Sequence, residues 1–194
     1  MWIYHDPPKM EVSPGFLLLL GALFWLDEGV GLLPWGLLAC MIHELGHVVA
    51  AAMLGGRVVC LSMTAIGAEL DIKYAMPLTY SQDSLVALAG PAANLVAGWL
   101  ALTLHWELAA ALSLAVGAFN LLPVLPLDGG RVVYGLLANR LDLDWAERLM
   151  TALSGCLVGL LVGVGAVAAV QFANVTLLLT ALWLLAGVLR RSNG

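Results

Sequence analysis

Residues 39–54 read ACMIHELGHVVAAAML, an apolar run interrupted by two histidines and a glutamate. His43 and His47 are four positions apart, so on an α-helix they lie one turn apart on the same face and can both reach one metal ion. Glu44 follows the first histidine and can accept a proton from a water molecule at that metal. Ionisable groups at membrane depth are costly unless they coordinate or pair, so this HExxH pattern predicts a metal centre.

The composition is that of an integral membrane protein. The chain has 194 residues, of which 62% are hydrophobic and 11% are charged. Apolar runs take up almost all of this length, so we expect one domain over residues 1–194. The net charge of −5 comes without a basic cluster, so a nucleic-acid partner is not expected. The three cysteines form no CxxC pair, and we interpret them as small core residues rather than ligands.

Six apolar runs are candidate membrane spans. They cover residues 15–26, 34–54, 85–104, 108–122, 150–170 and 172–189. Between the second and third runs, polar and apolar residues alternate in residues 57–74, which predicts a β-hairpin turning near Gly67. Residues 1–14 suit an interfacial strand or loop better than a helix. The expected fold class is therefore an all-α polytopic membrane protein with about six transmembrane helices and a small membrane-associated β-hairpin.

A second candidate for the metal centre follows two prolines. Pro123 and Pro126 end the helix of the fourth run, within NLLPVLPLDGGR at residues 120–131. Broken backbone and a carboxylate at membrane depth are tolerated where they line a cavity or bind something, so Asp128 is a site candidate; its alternative is an acid at the water interface. Two histidines, one carboxylate and one water molecule would complete a tetrahedral zinc site of the hydrolytic type.

The basic residues indicate the orientation. With six spans, the two termini, the hairpin and residues 131–148 fall on one side, and all eight basic residues lie there. The positive-inside tendency makes that side the cytoplasm. We therefore expect a multi-pass protein of the cell membrane with N- and C-termini in the cytoplasm. The basic residues are Lys9, Arg57, Lys73, Arg131, Arg140, Arg148, Arg190 and Arg191.

Three motifs in order carry a family resemblance. HELGH on one span, GPAAN on the next and FNLLPVLPLDGG on the third resemble the site-2 protease family of intramembrane zinc metalloproteases, in the compact branch that includes the stage IV sporulation FB protease. The resemblance covers about residues 36–135. It implies that His43, His47 and Asp128 bind Zn²⁺ and that Glu44 is the catalytic base.

The same resemblance implies how a substrate is held. The substrate would be a membrane protein cut within or beside a transmembrane segment, in the lipid bilayer, with a membrane regulatory partner in some cases. Asn120 would hold the substrate or stabilise the oxyanion. Independently of the resemblance, Asn94 lies inside a predicted span, where an asparagine either forms a helix-to-helix hydrogen bond, the commoner case, or contacts substrate. The hairpin edge at Val58–Thr64 would receive an unwound substrate as an added strand. The PDZ and CBS domains of many relatives are not expected here.

Two rival classes fit part of the pattern. A membrane di-iron hydroxylase also keeps histidines near a cytoplasmic face, but it uses many more than the four present here. A membrane transporter, a scaffold or a catalytically inactive homologue explains the broken helices without explaining Glu44. Metal analysis and a Glu44→Gln activity test distinguish these classes from a protease.

Overall fold

The structure is a computed structural model that describes residues 9–27, 29, 31–64, 67–172 and 175–192. It is mostly helical and contains a small three-stranded sheet. In chain order the elements are β1 (Lys9–Val12), α1 (Pro14–Leu26), α2 (Leu32–Met53), β2 (Arg57–Thr64), β3 (Gly67–Lys73), α3 (Tyr80–Thr103), α4 (Glu107–Asn120), α5 (Asp128–Ala138), α6 (Leu143–Phe172) and α7 (Thr176–Ser192).

The predicted hairpin is confirmed. Strands β2 and β3 pair antiparallel, from Arg57 opposite Lys73 to Thr64 opposite Gly67. The pairing shifts register between Val58 and Cys60. Residues 65 and 66, which join the two strands, lie outside the described residues.

A third strand lies on the other side of β2. Strand β1 runs parallel to β2, with Lys9 opposite Cys60 and Val12 opposite Met63, and the strand order is β1-β2-β3. The expected strand within residues 1–14 therefore exists at 9–12, while residues 1–8 lie outside the described residues. Because β1 and β3 occupy both edges of β2, the expectation that the β2 edge receives a substrate strand is wrong.

Each of the six predicted spans contains a helix, but among the described residues three helices are long and apolar enough to cross a membrane. These are α2, α3 and α6, with 22, 24 and 30 residues. The apolar helices α1, α4 and α7 have 13, 14 and 17 residues. At about 1.5 Å per residue these reach roughly 20–26 Å, less than a hydrocarbon core of about 30 Å. A polytopic fold is supported, and the count of six spans stays a prediction.

Helix α3 begins at Tyr80 rather than at the predicted Leu85. The Oγ1 of Thr79 accepts a hydrogen bond from the N–H of Gln82 at 3.3 Å, and Oε1 of Gln82 accepts one from the N–H of Thr79 at 3.0 Å. This reciprocal pair is a capping box, which satisfies N–H groups that the start of a helix leaves unpaired. The serine-rich stretch after Thr79 therefore forms the first turns of α3.

The start of α2 is fixed by Asp27, which is also the C-cap of α1. Its carboxylate accepts hydrogen bonds from the N–H groups of Gly31 at 3.1 Å, Leu32 at 2.8 Å and Leu33 at 3.3 Å. A carboxylate at this position also offsets the positive end of the helix dipole. The helix that carries the HExxH pattern therefore has a defined first turn.

The chain folds into two compact units, each built from two separate stretches of sequence. The first unit combines the residues up to Leu78 with Ala92–Gly117. Its core consists of Ala101, Ala109 and Ala110, against which Trp35 packs. These small residues allow helices to approach closely, which drives packing between membrane helices.

The second unit combines Thr79–Pro91 with the residues from Ala118 onward. Its core joins Val124 and Leu127, from the segment after α4, to Val158 of α6 and Leu184 of α7. The same segment is also hydrogen-bonded to α6, because Oγ of Ser154 accepts a hydrogen bond from the N–H of Leu125 at 3.1 Å. The proline-containing segment that leads into α5 is therefore an integral part of this core.

The three cysteines are free thiols, as expected, but they are not core residues. Cys40 and Cys156 lie on exposed helix faces, and Cys60 is half-buried. A cysteine behaves as a small hydrophobe, so a position facing lipid costs it little.

Candidate metal centre

Helix α2 carries both histidines on its one buried face. The buried residues of this helix recur every four positions, at Ala39, His43, His47 and Ala51. This spacing keeps them on a single stripe, with both histidines among small neighbours. The exposed side chains of α2 are on the other faces and include Leu45 and Val49. The two imidazoles therefore face the protein interior.

The geometry of the two imidazoles fits a shared metal ion. The Nε2 atoms of His43 and His47 are 3.1 Å apart. The ring centroids are 4.7 Å apart and the ring planes are nearly perpendicular, at 84°. Two nitrogens that each lie about 2.0–2.1 Å from a tetrahedral zinc ion are roughly 3.3 Å from each other. The convergence of the two Nε2 atoms is therefore close to what one zinc ion requires.

Asp128 is the first residue of α5 and is buried. The chain reaches it through the segment after α4, where Pro123 and Pro126 prevent a continuous helix. The break expected from the sequence is confirmed, since α4 ends at Asn120.

The two glycines after Asp128 allow α5 to lie against that segment. A Cβ atom on Gly129 would collide with the carbonyl oxygen of Leu121. A Cβ atom on Gly130 would lie 2.6 Å from the carbonyl carbon of Val124. Both neighbours are backbone atoms, so no side-chain rotation can relieve the collision. The DGG sequence thus sets how closely the first turn of α5 approaches the chain before it.

The three sequence-predicted ligands form one group. His43, His47 and Asp128 each offer one ligand atom, and these atoms all lie within 4.8 Å of one another. All three residues are buried. Two imidazole nitrogens and one carboxylate oxygen are a donor set that suits zinc, and three protein ligands leave one tetrahedral position for water or substrate.

The other predicted site residues lie on regular helices. Glu44 follows His43 on α2 and is half-buried. Asn120 is the last residue of α4 and is also half-buried. Asn94 lies inside α3 and is fully buried, and its Oδ1 and Nδ2 have no hydrogen-bond partner within the described part of the chain. The Oγ of Ser113 donates to the backbone carbonyl of Asn94 at 3.0 Å.

Arg131 and Asp83 are not among the site residues predicted from the sequence. Nη1 of Arg131 lies 3.5 Å from Oδ1 of Asp128, and Nη2 of Arg131 lies 2.7 Å from Oδ1 of Asp83. The spacing of three between Asp128 and Arg131 on a helix was a signal for the first contact. No sequence signal indicates the second contact, which joins residues 48 positions apart.

Comparison with known proteins matches residues 101–145 to peptidase family M50, a segment that includes Asn120 and Asp128. Stage IV sporulation protein FB of Bacillus subtilis is 30% identical over 161 residues, which are 77% of this chain and 56% of that protein. A zinc metalloprotease of Methanocaldococcus jannaschii is 25% identical over 151 residues, 68% of this chain and 43% of that protein. The chain spans about half the length of these relatives.

One solved structure shares the fold over nearly the whole chain. It is the site-2 protease from Methanocaldococcus jannaschii, with a TM-score of 0.70 and 19% sequence identity. The match covers 97% of this chain and 93% of that chain. At this level of identity the likeness is one of fold.

Proposed function

We propose that this chain is an intramembrane zinc metalloprotease, since its residues 101–145 match peptidase family M50 and stage IV sporulation protein FB of Bacillus subtilis is 30% identical to it over 161 residues. It hydrolyses a peptide bond within or beside a transmembrane segment of a membrane-protein substrate, as in regulated intramembrane proteolysis. The observation that carries the proposal is the buried group of His43, His47 and Asp128, whose ligand atoms lie within 4.8 Å of one another.

The donor set determines the chemistry. His43 and His47 would hold a zinc ion from one helix face, and Asp128 would supply the third ligand. A zinc ion bound there would supply Lewis-acid chemistry, which polarises a carbonyl and lowers the pKa of a water molecule to near neutral. The negative charge of Asp128 balances part of the ion's charge in a region of low dielectric constant.

Glu44 is the catalytic base in this proposal. It follows His43 directly on α2, so the same helix that positions the imidazoles also positions its carboxylate. A carboxylate can accept the proton of the attacking water and later pass it to the leaving amine. Both transfers need a group that can be charged or neutral, which an amide side chain cannot provide.

The two asparagines have different surroundings. Asn120 is half-buried at the end of α4, and we propose that its amide holds the substrate or stabilises the oxyanion. The side chain of Asn94 is fully buried and makes no hydrogen bond within the described residues, so substrate contact and a helix-to-helix hydrogen bond both stay predictions for it.

The substrate strand is proposed to add to an outer edge of the sheet. Within the described sheet, β2 is paired on both sides, so an added strand can lie only beside β1 or β3. Strand addition gives a peptide main-chain hydrogen bonds along the edge. Every residue of β1 is exposed, and Met10 is 67% exposed, so we favour the β1 edge. Such an edge would keep an unwound segment extended while its carbonyl reaches the zinc ion.

The basic residues support an orientation with both termini in the cytoplasm. Lys9, Arg57 and Lys73 lie on the sheet, and Arg140 and Arg148 lie around the start of α6. The positive-inside tendency places these residues on the cytoplasmic side of the cell membrane. His43 and His47 lie in the second half of α2, which leads toward the sheet. We therefore propose that cleavage occurs toward the cytoplasmic end of the substrate span.

Co-expression with candidate single-span membrane proteins tests the proposal. The expected result is a fragment that the parent protein produces and the Glu44→Gln variant does not, with activity lowered about 10²–10⁴-fold. Glu147→Gln makes the same change at an exposed position of α6 and should leave cleavage unchanged. Glu44→Gln activity within tenfold of the parent would remove Glu44 as the base and would favour an inactive homologue or a transporter.

A further inference from the structure

Arg131 links the proposed metal ligand Asp128 to a second carboxylate. Its side chain lies one turn after Asp128 on α5, with Nη1 at 3.5 Å from Oδ1 of Asp128. Its Nη2 lies 2.7 Å from Oδ1 of Asp83, in the first turn of α3. We propose that Arg131, anchored by Asp83, is the positioning residue that orients the Asp128 carboxylate toward the zinc ion. This inference rests on the proposed function.

The unequal distances give Arg131 a positioning role rather than a competing one. A guanidinium in a short bidentate pair with Asp128 would occupy the lone pairs that a metal ion needs. Here the short contact is made to Asp83, and the contact to Asp128 is longer. Arg131 is therefore held mainly by Asp83, and it restrains the rotation of Asp128 without forming a short bidentate pair with that carboxylate.

Asp83 is itself fixed by the way α5 packs on the start of α3. The rings of Tyr80 and Tyr134 meet edge to face, with centroids 6.1 Å apart. Nδ2 of Asn139 donates to Oγ of Ser81 at 3.1 Å. A Cβ atom on Gly135 would lie 2.9 Å from the carbonyl oxygen of Tyr80, so the two helices touch at the backbone.

The side-chain contacts Asp83–Arg131–Asp128 therefore connect two helices, and none of the three residues lies on a loop. Support from regular elements is what holds a metal ligand in a precise orientation.

The three side chains differ in how far they are exposed to solvent. The side chains of Asp83 and Arg131 are 42% and 37% exposed, whereas that of Asp128 is 10% exposed. Solvent screens an exposed ion pair, so its contribution to folding is small. Groups that orient a metal ligand, in contrast, typically change metal affinity about 10–100-fold when they are replaced. We therefore expect substitutions here to weaken zinc binding while leaving the fold intact.

Zinc affinity of the purified full chain, measured by competition with a chelator, tests the inference. Arg131→Met and Asp83→Asn should each weaken zinc binding about 10–100-fold. Arg131→Lys should recover part of the loss, because an ammonium supplies the charge but cannot bridge two carboxylates as a guanidinium does. Unfolding temperature, measured without zinc, should stay near that of the parent in all three.

Two exposed positions provide matched controls. Arg140→Met removes a basic side chain just after α5, and Asp144→Asn removes a carboxylate in the first turn of α6, as Asp83→Asn does in α3. Neither should change zinc affinity. In the double variant, Asp83→Asn should add little to the effect of Arg131→Met, since Asp83 acts through Arg131.

The results separate this inference from the proposed function. A parent protein that binds no zinc would contradict the function itself. A parent that binds zinc, with Arg131→Met and Asp83→Asn within threefold of their controls, would overturn the positioning role alone. Independent, additive effects of the two substitutions would overturn it as well. If Arg131→Met fails to fold, Asp83→Asn and Arg131→Lys still decide the question.

Discussion

Gly130→Ala tests whether the packing of α5 sets the position of Asp128. The new Cβ atom would lie 2.6 Å from the carbonyl carbon and oxygen of Val124 and 2.7 Å from the nitrogen of Leu125, where ordinary contacts begin at 3.4 Å. The backbone must therefore move by about 0.8 Å. Val124 is fully buried, and the N–H of Leu125 is bonded to Ser154, so the segment before α5 resists the shift. We expect α5 to move, and Asp128 with it.

The magnitude follows from the packing. Overpacking of this kind costs about 1–3 kcal/mol, and the better helix propensity of alanine recovers up to about 1 kcal/mol. With the full offset, a net loss of up to about 2 kcal/mol is expected. Metal–ligand distances are defined to about 0.2 Å, so the movement of Asp128 should lower zinc affinity at least tenfold.

Thermal unfolding and zinc content are measured on the same detergent-solubilised samples. Gly163→Ala is the matched control, because a Cβ atom there would meet nothing within 4 Å. This variant should be as stable as the parent or slightly more stable, with unchanged zinc. If Gly130→Ala matches Gly163→Ala in both measurements, the packing of α5 does not set the position of Asp128.

Two further predictions concern orientation and substrate entry. Cysteines introduced near Gly29 and at Arg140 should be labelled from opposite sides of the membrane. The cleavage site, mapped by mass spectrometry, should lie toward the cytoplasmic end of the substrate span. It should lie near Gly, Pro or Asn residues, because these lower the cost of unwinding the substrate helix. Labelling of position 140 only from outside the cell would reverse the orientation, and a cut at the outer end would contradict the proposed depth. Of Met10 and Glu11, the residue whose N–H points away from β2 should be replaced by proline, which should impair cleavage and leave zinc bound. Unchanged cleavage would indicate that the substrate strand adds to the β3 edge.

The metal centre is the part that local sequence patterns predict best. The spacing of His43 and His47 requires only that their segment be helical, and the apolar run around them ensures that. Asp128 can be predicted as a ligand from the prolines before it, because non-helical backbone at membrane depth is tolerated only where it lines a cavity or binds something. Both inferences use interactions between residues close in sequence, and the structure groups all three side chains.

The sheet and the helix boundaries were harder to predict. β1 has four residues and pairs with a strand some fifty positions later, so no local pattern indicates that it covers the edge of β2. Helix α3 begins five residues before the apolar run at 85–104, and the signal for this start is the Thr79–Gln82 spacing of a capping box rather than hydrophobicity. The contact between Asp83 and Arg131 depends on how two helices pack, which composition and spacing do not determine.

Zinc content of the purified protein tests the central claim most directly. The parent and Glu44→Gln should each contain about one zinc ion per chain by elemental mass spectrometry, since Glu44 is not a ligand in this account. Alanine at His43, His47 or Asp128 should each lower that content, because each removes one of three protein ligands. A parent protein without zinc, or stoichiometric zinc retained after any of these alanine substitutions, would contradict the proposed centre.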